Sequence, residues 1–215
     1  MTFQTPGGIG QLRPQAGVSP WAGSGSGWNP QGIEGITLSN NNRTAAIANI
    51  ASGSWGSATT STFTTSQWKY FECQLVFTEP MIDYDYNALG VWNYSTGILG
   101  GPTYLGWDGN SVGLFIQGGM YGVWANGTGY PLLNSPVPTT GDVIGVAVNP
   151  VDGIVTYYVN SFTLLNLQSS QYFTINGGTT YYIGSHINAT TVRWTLRTAA
   201  PFAYPSIAAS YIAWE

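Results

Sequence analysis

Hydrophobic and polar positions are patterned most legibly between residues 141 and 160. Two runs dense in β-branched and aromatic side chains, 143–148 and 154–159, flank Asn149-Pro150-Val151-Asp152-Gly153. This is the pattern of a β-hairpin. Asp152-Gly153 offers positions tolerant of positive φ at the reversal, and Pro150 removes a backbone donor where pairing should stop. In the first run Val143 and Ala147 alternate with Ile144, Val146 and Val148 around Gly145, so neither face is polar. Such a strand is expected to be central in its sheet and covered on both sides. In the second run Val155, Tyr157 and Val159 share one face and Thr156 and Tyr158 the other.

The same period of two recurs along the chain. Ile36-Thr-Leu-Ser and the stretch after Arg43 predict two short strands joined by Asn40-Asn41-Asn42. In residues 68–77 Phe71, Cys73, Leu75 and Phe77 fall on one face and Trp68, Tyr70, Glu72 and Gln74 on the other. Residues 181–184 and 192–197 read as further strands. No segment sustains a three-to-four period with caps, so helix content should be low.

Composition agrees with an all-β chain and narrows the partners. With 215 residues, about 70% of the unfolded surface can be buried, enough for one substantial core without staples. Charged residues make up 7% and the formal net charge is −4, with Glu34, Glu72, Glu79 and Glu215 among nine acids. The five cations Arg13, Arg43, Lys69, Arg193 and Arg197 form no basic patch, which argues against nucleic acid as a partner. So few charges give little repulsion between copies, as suits a dense assembly. The first residues lack a basic and an apolar region of a secretory signal, and no run has the length of a membrane-spanning helix. Cys73 is the single cysteine and has no internal disulfide partner. We therefore expect synthesis and folding in a cytosol, with no membrane insertion. The Asn-x-Ser/Thr triplets at Asn42, Asn93, Asn126 and Asn188 are then chance matches in an Asn- and Thr-rich chain.

Residues 1–27 carry Pro6-Gly7-Gly8, Arg13-Pro14, Ser19-Pro20 and a Gly/Ser run, and bury too little apolar area to fold alone. In an isolated domain such a leader stays disordered. The expectation here is an extended arm, residues 1–27, docked onto the sandwich, a sister copy or a larger particle, followed by one domain over residues 28–215.

The order of short motifs resembles SPRY-like (B30.2-related) β-sandwiches of the kind found in bacteriophage structural proteins. Gly141-Asp-Val-Ile-Gly-Val-Ala-Val, the Asp152-Gly153 turn and Val155-Thr-Tyr-Tyr-Val-Asn are similar to the central hairpin of that family. Trp28-Asn-Pro leading to Ile36-Thr-Leu-Ser resembles its opening, and Gly53-Ser-Trp-Gly-Ser the element that follows. Trp68-Lys-Tyr-Phe-Glu-Cys, Ala88-Leu-Gly-Val and Leu105-Gly-Trp-Asp-Gly-Asn-Ser-Val-Gly match later strands. Pro201-Phe-Ala-Tyr-Pro and Tyr211-Ile-Ala-Trp resemble its closing signature, so matches run from Trp28 to Trp214. The resemblance implies an antiparallel two-sheet sandwich, a SPRY/concanavalin-like jelly roll. Two departures stand out. Ser161 replaces the usual Gly after Asn160, and residues 81–86 are richer in acids and aromatics than the usual loop.

His186 is the single imidazole and no Gly-x-Ser-x-Gly elbow accompanies it, so a nucleophilic triad is a poor fit beside a packed or surface histidine. Cys73, on an apolar face, should stay a protonated, inert thiol. Glu79, Asp83 and Asp85 are the one acidic cluster, but the Glu-x-Asp-x-x-Glu pattern of concanavalin-like glucanases is missing, and a solvated loop is the plainer reading. Asp83, Asp85 and Asn87 alternate as weak calcium candidates. They fail as an EF-hand because Ala88 and Tyr94 stand at the sixth and twelfth positions. No cofactor is implied.

Aromatic side chains are the sharper hint. Trp92, Tyr94, Tyr104, Trp107, Tyr121 and Trp124 lie in Gly-rich connections or at strand ends. Most should be core; any that form a groove could hold a neutral sugar or a partner loop. Trp107, Asp108, Tyr121 and Trp124 are the first choice for such a ligand-binding surface.

The expectation is a non-enzymatic virion component, made in the bacterial cytoplasm and displayed through residues 1–27, which would contact other virion proteins. It would decorate the capsid or form part of a head or tail fibre, as a homo-oligomer, and bind a host-surface glycan or protein. Two rivals are a stand-alone peptide- or carbohydrate-binding SPRY module and, less favoured, a concanavalin-like glycan-cleaving enzyme.

Overall fold

Phe71, Cys73 and Leu75 alternate with Tyr70, Glu72 and Gln74 along β6 (Lys69–Phe77), and the fold grows outward from this strand on both of its faces. The computed structural model describes residues 27–30, 33–47, 56–60, 63–64, 68–77, 87–93, 105–106, 111–117, 120–125, 127–131, 138–149, 154–160, 162–168, 180–187 and 192–214. The first described strand is β1 (Ile33–Glu34).

One sheet runs β13 (Phe162–Gln168), β12 (Ile154–Val159), β11 (Val143–Asn149), β6, β15 (Val192–Arg197), β3 (Thr44–Ile47) and β2 (Ile36–Ser39). The other runs β1, β4 (Gly56–Thr59), β14 (Thr180–Ile187), β7 (Asn87–Asn93), β8 (Ser111–Gln117), β9 (Met120–Ala125) and β10 (Thr128–Pro131), with β5 (Phe63–Thr64) beside β14. Among the described residues every ladder is antiparallel except that of β16 (Ile212–Ala213), which lies parallel to β6 at Lys69 and Tyr70. β15 pairs with β6 only from Phe77 to Glu72, and β16 takes up the same side of β6 where β15 has left it. Sequence order alternates between the sheets, so neighbours in space are often far apart in the chain. The result is the antiparallel two-sheet sandwich expected, with one four-residue helix among the described residues, α1 (Pro205–Ala208).

The two strands of the central hairpin pair as patterned, while its turn residues 150–153, with Pro150 and Asp152-Gly153, lie outside the described residues. Val146 pairs with Tyr157 on one side and Phe71 on the other, and all seven residues of β11 are buried. Ile144, Val146 and Val148 join Phe71, Cys73 and Leu75 in the core between the sheets, facing Leu89, Val91, Leu114 and Ile183. Tyr157 spans this layer, its hydroxyl donating to the Leu89 and Val112 carbonyls at 3.5 and 3.4 Å. Gly145 occupies the opposite face of β11, where a Cβ would stand 2.3 Å from the Tyr70 hydroxyl, so the small residue is what lets that ring lie flat on the strand.

Turns follow from residues that accept left-handed backbone. Asn40, Asn41 and Asn42 all have positive φ, at 54°, 53° and 61°, and reverse the chain between β2 and β3 as the Asn run predicted. Asn160, at φ 50°, begins the reversal between Val159 and its ladder partner Phe162. Ser161 and the acidic loop 81–86 lie outside the described residues. Trp28 is buried in the core and its backbone N–H donates to the Asn42 carbonyl at 2.6 Å, which ties it to the β2–β3 turn.

Candidate functional site

Outside the core, each sheet carries a second layer of packing. On the β14–β7–β8 face, Ala88, Trp92, Leu105 and Phe115 form a separate apolar cluster, with half-buried Trp124 against it. His186 belongs to this layer, its ring edge-on to Trp92 at 5.4 Å. The Leu105 N–H donates to His186 Nδ1 at 2.9 Å, which leaves the imidazole proton on Nε2. Burial disfavours the cation and holds the His186 pKa down to about 4. An imidazole that is neutral, enclosed and occupied at Nδ1 serves as a fixed acceptor.

Two more hydrogen bonds complete the attachment of this segment. The Gly106 N–H donates to Ser111 Oγ at 2.7 Å, and the Gly127 N–H donates to the Gly106 carbonyl at 2.9 Å. Gly106 has φ 87°, and a Cβ there would meet the Trp124 carbonyl oxygen at 2.2 Å. The backbone is therefore pinned to β14, to β8 and to the β9–β10 turn immediately before Trp107 and Asp108. That arrangement supplies a rigid point of departure for the next residues.

On the outer face of the β11–β6–β15 sheet the covering layer is the C-terminal segment. Glu72 has no exposed surface and its carboxylate gathers three donors. Ala203 N–H reaches Oε2 at 2.6 Å, Tyr204 N–H reaches Oε1 at 2.9 Å, and the Tyr70 hydroxyl donates to Oε1 at 3.1 Å. Burial raises the Glu72 pKa, and the Ala203, Tyr204 and Tyr70 donors and the Arg197 charge oppose that rise. Arg197 Nη1 in turn donates to the Pro201 carbonyl. Further along, the Tyr204 hydroxyl donates to the Val143 carbonyl at 2.8 Å, and the Tyr211 and Tyr158 hydroxyls are hydrogen-bonded at 2.7 Å. Trp214 closes the segment by packing edge-on against Phe71, 5.3 Å between centroids. The aromatic residues that resembled a closing signature thus act as a strap, and Glu72 is its internal clasp.

No protein-family model and no curated protein matches the sequence. Solved structures do match the fold. The SPRY domain of human HERC1 aligns with TM-score 0.57 and 12% identity, over 80% of this chain and 97% of that one. A human SPRY domain aligns with TM-score 0.60 and 17% identity, over 80% and 99%. The TRIM65 PSpry domain gives 0.57 and 16%, over 79% and 90%. The fold is SPRY-like.

Within this SPRY-like sandwich the residues singled out from sequence fall in different places. Trp124 lies on β9, half-buried, its ring 6.1 Å from Phe115. Tyr121 stands on the same strand opposite Ile116. Trp107 and Asp108 lie outside the described residues, directly after the pinned Leu105-Gly106 pair. Of the calcium candidates, Asn87 is buried in β7, paired with Ile187 and Ile116, while Asp83 and Asp85 are outside the described residues. Trp92 is buried in the outer apolar cluster. Cys73 is fully buried in the core and burial pushes its thiol pKa well up, as its apolar face implied. Glu72 and the strap escaped sequence reasoning as functional parts. A signal was available in the Glu placed among Tyr70 and Trp68 on a strand whose other face was already apolar.

Proposed function

We propose that this chain is a non-enzymatic component of a bacteriophage virion. Residues 1–27 attach it to other virion proteins, and the SPRY-like sandwich is displayed as a capsid decoration or as part of a head or tail fibre. The ordered motif resemblance and the sparse charge support the virion setting. The SPRY-like fold supports an interaction role for the sandwich. Among the described residues, the two buried ionisable groups best suited to proton transfer, His186 and Glu72, are both committed to holding backbone in place.

The observation that carries the binding reading is the three-point attachment of Leu105 and Gly106 just before Trp107. A loop that starts from a fixed base loses less entropy on meeting a ligand than one that does not. The ligand is a host-surface glycan or protein held by Trp107, Asp108 and Trp124, since Tyr121 takes the alternate register of β9 together with Val123 and Ala125 of the core between the sheets. The test is adsorption of purified protein to host cells and to their surface polysaccharide. Trp107→Ala with Trp124→Ala should weaken binding at least about tenfold, one aromatic anchor's worth or more, with unchanged β-sheet circular dichroism. Unchanged adsorption would reject the surface, and released oligosaccharide would reject the non-enzymatic reading. Electron microscopy of labelled particles separates capsid from fibre.

A further inference from the structure

At the end of β6 the strap leaves a shallow depression of about 440 Å³, lined by Trp68, Ala209, Ser210, Tyr211 and Ile212. Its floor is aromatic and rigid. Trp68 and Tyr211 are tilted at 39° with centroids 5.4 Å apart. Tyr211 is stacked on Tyr70 at 5.7 Å, and its hydroxyl is held by Tyr158. The Ile212 N–H donates to the Trp68 carbonyl at 3.1 Å, tying one wall to the other. Ile212 is 43% exposed and is the exposed large hydrophobic among the described residues.

The lining contains no ionised and no amide side chain, and Ser210 offers its one hydroxyl besides that of Tyr211, already paired. A sugar ring or an anion would find too few hydrogen-bond partners. Nearby Lys69 directs its ammonium to the Ala213 carbonyl at 3.3 Å. An aromatic floor with apolar walls suits a proline-bearing extended segment, which brings no N–H at proline, stacks its ring on aromatics and is pre-ordered as polyproline II.

We propose that the depression is the docking site for this chain's own N-terminal arm, through Ser19-Pro20-Trp21. The register of the sheet places the origin of the arm at the right end of the molecule. Trp28 is bonded to Asn42, the Leu196 N–H donates to the Arg43 carbonyl, and Leu196 pairs with Cys73 of β6. Trp68 lies five positions further along β6 in that same direction, and two strand spacings across. At about 3.3 Å per residue and 4.8 Å per strand the separation is roughly 20 Å. Pro20 precedes Gly27 by seven residues, which span about 22 Å as polyproline II. The segment can therefore reach the depression of its own sandwich, and residues 1–18 are left to make other contacts. The one charged side chain of the arm, Arg13, lies outside the docking segment, so docking the half next to the sandwich buries no unpaired ion.

Hydrogen exchange of the full chain, read by mass spectrometry, tests this. Amides of residues 16–24 are expected to exchange at least about tenfold more slowly than in the free peptide of the same sequence. Pro20→Gly, which cannot disturb the sandwich core, and Ile212→Asp should each restore free-peptide rates while β11 and β12 amides keep theirs. Free-peptide rates in the unsubstituted chain would overturn the proposal, as would protection that survives both substitutions. Protection that grows with protein concentration would place the arm on a neighbouring copy and overturn docking on its own sandwich. An unprotected arm together with quenching of tryptophan fluorescence by a neutral oligosaccharide, lost in Trp68→Ala, would reassign the depression to a glycan.

Discussion

His186 and Glu72 have opposite electrostatic consequences for the same reason, the cost of placing charge where water is excluded. The unfolded chain takes up a proton on His186 near 6.5, but the folded protein resists until about 4. A lowered histidine pKa contributes stability that is complete above the unfolded value and is lost as pH falls toward the folded one. Across that window the loss should be roughly 3 kcal/mol, at about 1.4 kcal/mol per unit. His186→Asn, whose Oδ1 can replace Nδ1 as acceptor for the Leu105 N–H, should lack this part of the slope. Urea unfolding of both proteins at pH 7 and pH 4.5 measures it. Equal pH slopes would show that the ring is not enclosed. Glu72 runs the other way. Its raised pKa means that the folded state gains relative stability as pH drops through that raised value toward the ordinary carboxylate range.

At the scale of elements, the strap is held by side-chain and backbone groups rather than by its own regularity. α1 has four residues, too few to be stable alone, and β16 has two. Their order comes from Glu72, from the Tyr204 and Tyr211 hydroxyls and from Trp214. Replacing Glu72 by Ala strands the Ala203 and Tyr204 N–H groups and the Tyr70 hydroxyl, and should cost roughly 3 kcal/mol. Tyr204→Phe, which removes one hydrogen bond to Val143, should cost about 1 kcal/mol. Exchange of amides 203–212 should accelerate well before those of β11 and β12 in Glu72→Ala. Uniform acceleration of strap and hairpin together would mean that the strap is not a separable layer.

For the molecule as a whole, the sandwich is one cooperative unit because its core residues come from both sheets and from both ends of the chain, from Trp28 to Trp214. Cys73 sits in the middle of that core. Its thiol should be inert to an aromatic disulfide reagent in the native protein and react at the rate of global opening, so that reactivity rises in parallel with urea-induced unfolding. Fast reaction in buffer would mean that the core opens locally. Strand pairings such as β3 with β15 and β4 with β14 close very long loops, and folding should accordingly take milliseconds to seconds.

Much of this architecture is legible in the sequence. Alternation along a strand is a local property: side chains two apart share a face whatever the strand later meets. That was enough to determine the hairpin of β11 and β12, the burial of β11 on both faces, the inert face of Cys73 and the turn at Asn40 to Asn42. Partnership is not local. Glu72 reads as a polar residue on an outer face, and becomes a buried clasp because Ala203 and Tyr204, 131 and 132 residues away, fold back onto it. His186 gains its role from Leu105, 81 residues earlier. Which strands share a sheet, which outer faces are covered and what ties down the chain before Trp107 were decided by tertiary packing, since only there do groups without sequence proximity compete for the same donors and the same space.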